Sequence, residues 1–381
     1  MTGSTKARRL RPSTLAALLL LPLAIGLQWL SARSPELVET LYSRVVFPPL
    51  VAALSSSSSR LPFSLAEIGL ACAGPVLVLV LIWTGRALLR GKGHRWQILA
   101  RTGVVGLLVA GAVYALFLIA WGLNYQRASL GRSAGLPVRP SDRSELAALS
   151  ADLVNATNRL RDGLPEDERG AMRLAGGPRV ALSRAAPGVA ALVNRYPWMP
   201  RPNVNPKPAC ASPLLARLGI GGFYSPLTAE ATVNIEIPSS EVPFSAAHEV
   251  AHQLGFARED EANYLACLVC RLHPDADFRY SGAFVASRHV QRALSSVDRA
   301  EARVLESRRS PAVRRDMAAL ATWVARYRGP AMTAFNRAND AYLRTQGQKD
   351  GTRSYGRMVD LLLAERRLDY NPPAPLRRED P

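Results

Sequence analysis

Residues 243–270 read PFSAAHEVAHQLGFAREDEANYLACLVC and contain an H-E-x-x-H motif that runs from His248 to His252. In a helix, residues four apart lie on one face, so the two imidazoles can reach the same ion. Zinc accepts imidazole nitrogen, and a catalytic zinc site has three protein ligands and an open position for water. Glu249 lies beside this face, where its carboxylate can act as a general base on that water. The stretch therefore predicts a helical zinc site with hydrolytic chemistry.

The residues around the motif predict a buried helix. Pro243 and Ser245 are typical of a helix start, and Gly255 is typical of a helix end. The positions between them are mostly small or apolar. A buried Glu249 between two histidines is costly unless a cation offsets its charge. The alternative is a core helix in which the imidazoles make ordinary hydrogen bonds, and the carboxylate argues against it.

The third ligand is predicted on the next helix, which runs from Glu259 to about Leu272. In proteases with the longer motif H-E-x-x-H-x-x-G-x-x-H the third ligand is a histidine, but Arg258 occupies that position here and cannot bind a cation. We predict Glu259 as the third ligand, with Glu261 as the alternative. Asn263, one turn after Glu259, is predicted to hold the ligand by a hydrogen bond. The acidic residues could also be only favourable charge at a helix N-terminus.

A second informative stretch lies just upstream of the motif. Residues 231–237, ATVNIEI, alternate in hydropathy and predict a strand. The glycines at 219–222 would let the backbone approach a ligand closely. In zinc proteases, an edge strand beside the metal helix binds extended substrate by β-addition. We predict this role here, with Asn234 and Tyr224 as substrate-binding candidates, and an ordinary core strand as the alternative.

Three apolar runs near the N-terminus predict a membrane anchor over residues 1–121. They cover about 14–30, 65–83 and 102–121, and each is long enough to span a bilayer. The first run could also be a cleaved signal peptide. Basic residues before the first run and between the other two put the N-terminus in the cytoplasm, and three spans put the rest of the chain outside. The serine run 55–59 predicts a flexible turn on the outer side.

Residues 122–370 are predicted to form one mostly α-helical domain with a small α+β part around the motif. Beyond the motif, caps and apolar periodicity predict helices at 142–161, 187–196, 282–296, 298–308, 311–327, 330–345 and 352–367. The segment 371–381 is rich in proline and charge and is predicted to be disordered.

Composition restricts the partners. The formal net charge is +18, a value that raises nucleic acid as a partner. However, the basic residues are scattered, and the chain has no nucleic-acid recognition motif. We therefore predict no nucleic-acid partner. A basic outer face would instead suit anionic lipid or a cell-wall polymer.

The four cysteines give a weak signal. Cys267 and Cys270 form a single C-x-x-C on a predicted buried helix, without a second pair, so packing is favoured over metal binding. If the domain lies outside the cytoplasm, Cys210 could form a disulfide with one of them.

Three stretches of the chain resemble a known family. HEVAHQLGFAREDEAN at 248–263, GGFYSPLTAEATVNIEIP at 221–238 and SYGRMVDLLLAE at 354–365 are similar to the bacterial membrane proteins grouped as domain of unknown function 3810. The resemblance implies a zincin-like metallopeptidase in the bacterial inner membrane, with several spans. It implies zinc at the two motif histidines and catalysis by the motif glutamate. It implies no substrate.

The sequence thus predicts a zinc metallopeptidase that uses Zn2+ to hydrolyse peptide bonds in peptide or protein substrates. Two alternatives from other classes stay open. One is a zinc-binding structural or sensory membrane protein without activity, and the other is a zinc amidase that acts on cell-wall amides. Arg353 and Tyr355 on the last predicted helix are candidates for stabilising an oxyanion, with helix packing as the alternative.

Overall fold

The residues described by the computed structural model are 12–91, 94–348, 351 and 357–370. Within them the chain is mostly helical and contains one small sheet, as predicted. The tail predicted at 371–381 lies outside the described residues. So do the oxyanion candidates Arg353 and Tyr355.

The N-terminal helices are α1 (Pro12–Ser31), α2 (Pro35–Ser58), α3 (Leu65–Arg90) and α4 (Arg95–Ala120). The last three are long and apolar enough to cross a membrane, which suggests a membrane protein. The apolar part of α1 that qualifies, Leu18–Ser31, is shorter. The runs predicted at 65–83 and 102–121 lie on α3 and α4, and the run at 14–30 lies on α1.

The helices α1 and α4 pack side by side and run in the same direction. Gly111 of α4 meets Leu20 and Leu21 of α1, and its lack of a side chain lets the two backbones approach closely. Further along, Tyr114 of α4 donates a hydrogen bond to Gln28 of α1. The contact partner on α1 thus moves towards its C-terminus as the residue on α4 does, so the two helices are parallel. The last turns of both helices therefore lie at the same end of the pair.

The helix α2 was not predicted, and the flexible turn predicted at 55–59 is wrong. Ser55 and Ser58 are buried in the last turns of α2. Serine disfavours helices because its hydroxyl competes for backbone hydrogen bonds. Here Ser55 Oγ accepts from Asn203 N at 2.9 Å, and Ser58 O accepts from Lys207 Nζ at 2.8 Å. These tertiary partners stabilise a helix that local sequence disfavours.

The helix α2 has one buried face and one exposed apolar face. The buried side chains that join a cluster with the end of α4 are Val38, Tyr42, Phe47 and Val51. The exposed apolar side chains are Leu37, Leu41, Val45 and Val46. An apolar face of this kind is typical of a helix that lies in the plane of a membrane surface.

The sheet consists of β1 (Lys207–Pro208), β2 (Gly222–Ser225) and β3 (Glu230–Val233). The strand β3 lies in the middle, parallel to β1 and antiparallel to β2. The strand predicted at 231–237 is therefore shorter than expected and is not an edge strand. The edge strand that contacts the motif helix is β2.

Asn234 ends β3. Its Oδ1 accepts from Glu236 N at 2.9 Å, and its Nδ2 donates to Ile220 O at 2.8 Å. An asparagine side chain that bonds the backbone two residues on forms a local turn, which competes with the strand ladder. The alternating pattern continues through this turn, so periodicity alone does not detect it.

Two short helical segments, Gly122–Gln126 and Leu130–Ser133, follow α4. The longer helices after them are α5 (Arg143–Arg161), α6 (Gly177–Ser183), α7 (Ala186–Arg195), α8 (Ser212–Leu218), α9 (Val242–Gln253), α10 (Glu259–Leu272), α11 (Ala276–Val297), α12 (Arg299–Ser307), α13 (Pro311–Tyr327), α14 (Pro330–Thr345) and α15 (Met358–Tyr370). The predicted helices are confirmed, although α11 begins before the predicted 282. The start predicted at 352 lies outside the described residues. The helices α9, α10 and α11 pack together in the main core, which holds the motif rigidly.

The four cysteines are free thiols, so the disulfide considered from Cys210 is not formed. Cys210 is exposed, whereas Cys267 and Cys270 are buried on α10. Burial raises the pKa of Cys267 to about 12, which keeps the thiol protonated. Both buried cysteines therefore act as small apolar side chains in the core.

Candidate metal centre

The motif helix α9 starts and ends where its sequence predicts. Pro243 lies in the first turn, and Phe244 N donates to Ser281 Oγ of α11 at 3.0 Å. Gly255 follows the last turn with a φ of 84°, a left-handed conformation that favours glycine. This turn directs the chain back along α9 into α10, so the two helices that carry the predicted ligands face each other.

Three ligand atoms converge between α9 and α10. His248 Nε2 lies 3.1 Å from His252 Nε2. Glu259 Oε2 lies 3.3 Å from the His248 nitrogen and 3.7 Å from the His252 nitrogen. Tetrahedral zinc at its usual bond lengths would separate such ligand atoms by about 3.3 Å. The distances fit this value, and two imidazoles with one carboxylate form a donor set that zinc accepts.

The predicted third ligand and its alternative have different surroundings. Glu259 belongs to the ligand group, whereas Glu261 does not. Glu261 Oε1 accepts from Leu130 N at 2.7 Å and from Arg258 Nη1 at 2.8 Å. Arg258, which stands where the longer motif has a ligand, thus pairs with the neighbouring carboxylate. Asn263 is buried one turn after Glu259 on α10.

The imidazole of His252 is oriented by the turn that follows α9. Its Nδ1 lies 2.7 Å from the carbonyl oxygen of Phe256. When Nδ1–H donates to that oxygen, the lone pair of Nε2 is left for a cation. Burial lowers the pKa of His252, but the attraction of Glu259 and Glu249 outweighs it and raises the pKa to about 9. The two carboxylates therefore favour a positive charge at Nε2, which is either a proton or, in its place, a metal cation.

Glu249 is buried beside the ligands and against the sheet. A Cβ added at Gly222 of β2 would lie 2.8 Å from both Cγ and Oε1 of Glu249. Only a glycine at this position lets the strand approach the carboxylate so closely. The glycines predicted to approach a ligand thus include one, Gly222, that approaches the predicted general base.

The two carboxylates of the site have opposite pKa shifts. Burial raises the pKa of Glu249 above its ordinary value, and the attraction of His248 and His252 does not cancel this rise. Burial also acts on Glu259, but the same imidazoles outweigh it and hold the pKa of Glu259 well below its usual range. Glu259 therefore stays ionised, as a ligand must, while Glu249 can carry a proton.

The family model described as Protein of unknown function (DUF3810) matches residues 42–363. The chain belongs to this family. No curated protein and no solved structure gives a significant match. The DUF3810 match includes α3 and α4 as well as all the residues of the metal centre. The helices α3 and α4 and the motif are therefore parts of one family unit.

In this DUF3810 chain, the two predicted substrate contacts differ in accessibility. Asn234 is fully buried, and its amide is used by the turn that ends β3. Its assignment as a substrate contact is corrected accordingly, since no atom of it reaches the surface. Tyr224 on β2 is half-buried, and its ring centroid lies 5.4 Å from that of Trp121. Burial raises the pKa of Tyr224, so its hydroxyl stays protonated.

Trp121 is a residue of the centre that sequence reasoning does not find. It follows α4, and its indole Nε1 donates to the carbonyl of His252 at 2.9 Å. Its ring also meets the His252 imidazole edge-on, with 5.9 Å between centroids. A tryptophan at the end of an apolar helix is the only signal in the DUF3810 sequence, and it indicates a membrane boundary rather than a metal site.

Proposed function

We propose that this DUF3810 protein is a membrane-anchored zinc metallopeptidase with a zincin-like catalytic domain that hydrolyses peptide bonds. The proposal is carried by the convergence of His248, His252 and Glu259 at distances that suit one zinc ion, with Glu249 beside them. Within the part of the chain that the structure describes, no further His, Cys, Asp or Glu joins this group. Three protein ligands are typical of catalytic zinc sites, whereas structural sites have four.

Each residue of the centre has its own task in the proposed reaction. Zinc, when bound, supplies Lewis acidity that lowers the pKa of water and polarises a carbonyl. His248 and His252 present Nε2 to the cation, and the carboxylate of Glu259 offsets part of its charge. Glu249 accepts a proton from the attacking water and passes it to the nitrogen of the leaving amine. Its raised pKa suits both steps, because one carboxyl must take a proton and release it again.

The edge strand β2 is the proposed docking site for extended substrate. Among the strands of the described residues it pairs with β3 alone, which leaves its other edge for a further strand. Its Gly222 lies against Glu249. A peptide that adds to β2 as a further strand would place its backbone carbonyls beside the general base.

We propose that α1, α3 and α4 span the membrane, whereas α2 lies along its surface. The parallel packing of α1 and α4 puts their ends on one side, where α3 begins. Arg86, Arg90 and Arg95 lie at the opposite end of α3 and α4, and the positive-inside rule places that end in the cytoplasm. The catalytic domain would then be extracytoplasmic at the bacterial inner membrane, where a protein substrate and the lipid bilayer are its partners.

Two variants of the purified full-length protein test the proposed function. Glu249→Gln is expected to bind zinc as the wild type does and to lose nearly all hydrolysis of a peptide library. His252→Ala is expected to lose both. Glu236→Gln is the matched control, since Glu236 is exposed and should affect neither. Undiminished hydrolysis by Glu249→Gln would exclude the mechanism.

The same measurements separate the other classes. A wild-type protein that binds one zinc but hydrolyses nothing would be a structural or sensory zinc protein. Hydrolysis of cell-wall amides without hydrolysis of ordinary peptides would identify an amidase. Zinc content is read by elemental mass spectrometry and products by peptide mass spectrometry.

A further inference from the structure

Two of the apolar helices end at the metal centre. Trp121, the residue after α4, donates its indole N–H to the carbonyl of His252 at 2.9 Å. Ser64, the residue before α3, places its hydroxyl 3.3 Å from that of Thr232 on β3. The strand β3 pairs with β2, whose Gly222 contacts the general base. The centre thus lies one contact from the end of α4 and three contacts from the start of α3.

The joint between α3 and the sheet is made of buried charged groups. The Glu230 carboxylate accepts from Leu65 N and Ala66 N at 3.1 and 2.9 Å, at the N-terminus of α3. Lys207 Nζ donates to the same carboxylate at 2.5 Å and to Ser58 O at 2.8 Å. The Lys207 and Glu230 side chains are almost fully buried. These buried hydrogen bonds fix the position of the sheet relative to the start of α3.

The surfaces of α3 and α4 require a nonpolar medium. No residue of α3 is buried, and on α4 only Gly111 and Leu118 are. Large apolar side chains such as Leu70 and Leu79 are 69% and 64% exposed. Exposed apolar surface on this scale is typical of contact with lipid. We therefore place the apolar part of α3, from its first turn to about Trp83, in the bilayer.

The tryptophans on these helices give the depth of the centre. Trp83 on α3 and Trp96 on α4 are 67% and 83% exposed, and they mark the membrane boundary far from the centre. The hydrocarbon core is about 30 Å thick, which a helix crosses in about 20 residues. Counting about 20 residues from Trp83 reaches Ser64, and counting about 20 from Trp96 reaches Leu116, near Trp121. On this count Ser64 lies at the near boundary, and Trp121 lies about 7.5 Å beyond it on the side of the centre.

We infer that the substrate is a membrane-anchored polypeptide that is cleaved in the stretch next to its own apolar segment. The inference rests on the proposed peptidase function. An extended chain advances about 3.3–3.6 Å per residue, so only the first few residues outside the bilayer pass at the height of the centre. The apolar face of α2 holds the catalytic domain against the surface and keeps this height constant.

The test uses the full-length protein in phosphatidylethanolamine and phosphatidylglycerol vesicles, with single-span reporter polypeptides as probes. One reporter pool carries a short randomised window directly after its apolar segment. A second pool carries the same window beyond a proline-rich spacer of about 20 residues, which extends about 60 Å. A third pool is the free peptide. Both anchored pools have the same membrane concentration, so their difference reports distance from the bilayer alone.

The adjacent window is expected to be cleaved at least about 10-fold faster than the displaced window, because only the former is held at the centre. Equal rates for the two anchored pools would overturn the inference, and so would equal cleavage of the free peptide, while the peptidase function would stand. If wild type and Glu249→Gln cleave none of the pools, the peptidase function fails, and the inference fails with it.

A depth measurement tests the same inference without catalysis. Cys210 is exposed, and its backbone N–H donates to Glu67 in the first turn of α3 at 3.0 Å. In a Cys72→Ser variant, a fluorophore attaches to Cys210, since Cys267 and Cys270 are buried. Lipids with a spin label on the headgroup are expected to quench it more strongly than lipids labelled deep in the chain. No quenching by either lipid would place the centre away from the bilayer and overturn the inference.

Discussion

Glu39 of α2 and Arg127 form a bidentate ion pair with N–O distances of 2.8 and 3.0 Å. Their side chains are only 3% and 1% exposed. The same guanidinium donates to the carbonyl of Gly255 at 3.0 Å. Gly255 precedes Phe256, whose carbonyl oxygen orients His252. The ion pair therefore connects α2 to the turn that orients His252, a predicted metal ligand.

Arg127→Met is expected to destabilise the protein and to weaken zinc binding. The substitution removes the buried partner of Glu39 and leaves only the partly exposed Arg44 to pair with its carboxylate. The cost is therefore expected to lie below the about 3–5 kcal/mol of a buried charge that has lost every partner. The carbonyl of Gly255 also loses its donor, so the turn holds Phe256 less firmly. Thermal unfolding in detergent measures the first effect, and zinc competition with a chromogenic chelator measures the second.

Glu36→Gln is the matched control for this prediction. Glu36 pairs with Arg132 on the surface, and such a pair contributes about 0–1 kcal/mol. The double variant Glu39→Gln/Arg127→Met should be less destabilised than the sum of its single variants, because neither charge is then left alone. A melting temperature of Arg127→Met equal to that of the control would contradict the prediction.

Glu259→Gln is expected to lose most of its zinc, whereas Glu261→Gln is expected to keep it. Glu259 belongs to the ligand group, and Glu261 bonds to Leu130 N and Arg258 instead. The two substitutions remove the same charge two residues apart on one helix, so each controls for the other. Zinc per chain, measured after dialysis, gives the result. Equal zinc loss in both variants would mean that α10 as a whole, and not one carboxylate, maintains the site.

Gly222→Ala is expected to reduce kcat/KM by about 10-fold or more while zinc content stays unchanged. The new Cβ would lie 2.8 Å from Cγ and Oε1 of Glu249 and 2.8 Å from the backbone oxygen of Thr232, so both the Glu249 side chain and the pairing of β2 with β3 must shift. Gly329→Ala is the control, because a Cβ added there would lie 4.0 Å from its nearest neighbour, the backbone oxygen of Tyr327. Peptide hydrolysis and elemental analysis on the same preparations measure both quantities. Loss of zinc together with activity would instead indicate a general distortion of α9.

Glu230→Gln is expected to weaken the joint between α3 and the sheet most strongly near neutral pH. Burial raises the pKa of Glu230, but hydrogen bonds from Lys207 and from the amide of Ala66 outweigh it and lower the pKa. A group whose pKa is lowered on folding stabilises the fold above its unfolded pKa, and this contribution is lost as the pH falls through the folded value. The gap in melting temperature between wild type and variant should therefore shrink below pH 4.5, the ordinary value for Glu.

Glu236→Gln serves as the control for the pH measurement, since it removes the same charge from an exposed position. The difference in melting temperature between this variant and the wild type should be small at every pH. If both variants show the same pH profile, the carboxylate of Glu230 is not what fixes the joint.

The motif and its two helices could be predicted because their signals are local. The spacing of His248 and His252, the glycine at 255 and the acidic residue at 259 lie within one short stretch of chain. Each predicts its structure from backbone and side-chain preferences that need no distant partner. The described structure places α9 and α10 within a few residues of those predictions and brings the three predicted ligands together.

The contacts that complete the centre could not be predicted, because they join residues far apart in sequence. Trp121 meets His252, and Glu39 meets Arg127, yet neither pair shares a motif or a periodic pattern. The helix α2 was missed for the same reason. Its serines are stabilised by residues near Asn203, and local preference alone predicts a turn there.

The strand β2 is four residues long, and this length limits recognition. A chain docked along it can be read over only a few consecutive positions. Discrimination between amino-acid sequences is then expected to be weak, because so few side chains of a docked polypeptide would contact the protein. Selectivity would depend instead on which polypeptides present an unfolded segment at the distance from the bilayer at which the centre lies. If the proposed peptidase function holds, such a protein would select its substrates by the conformation of the segment that they present and not by their amino-acid sequence.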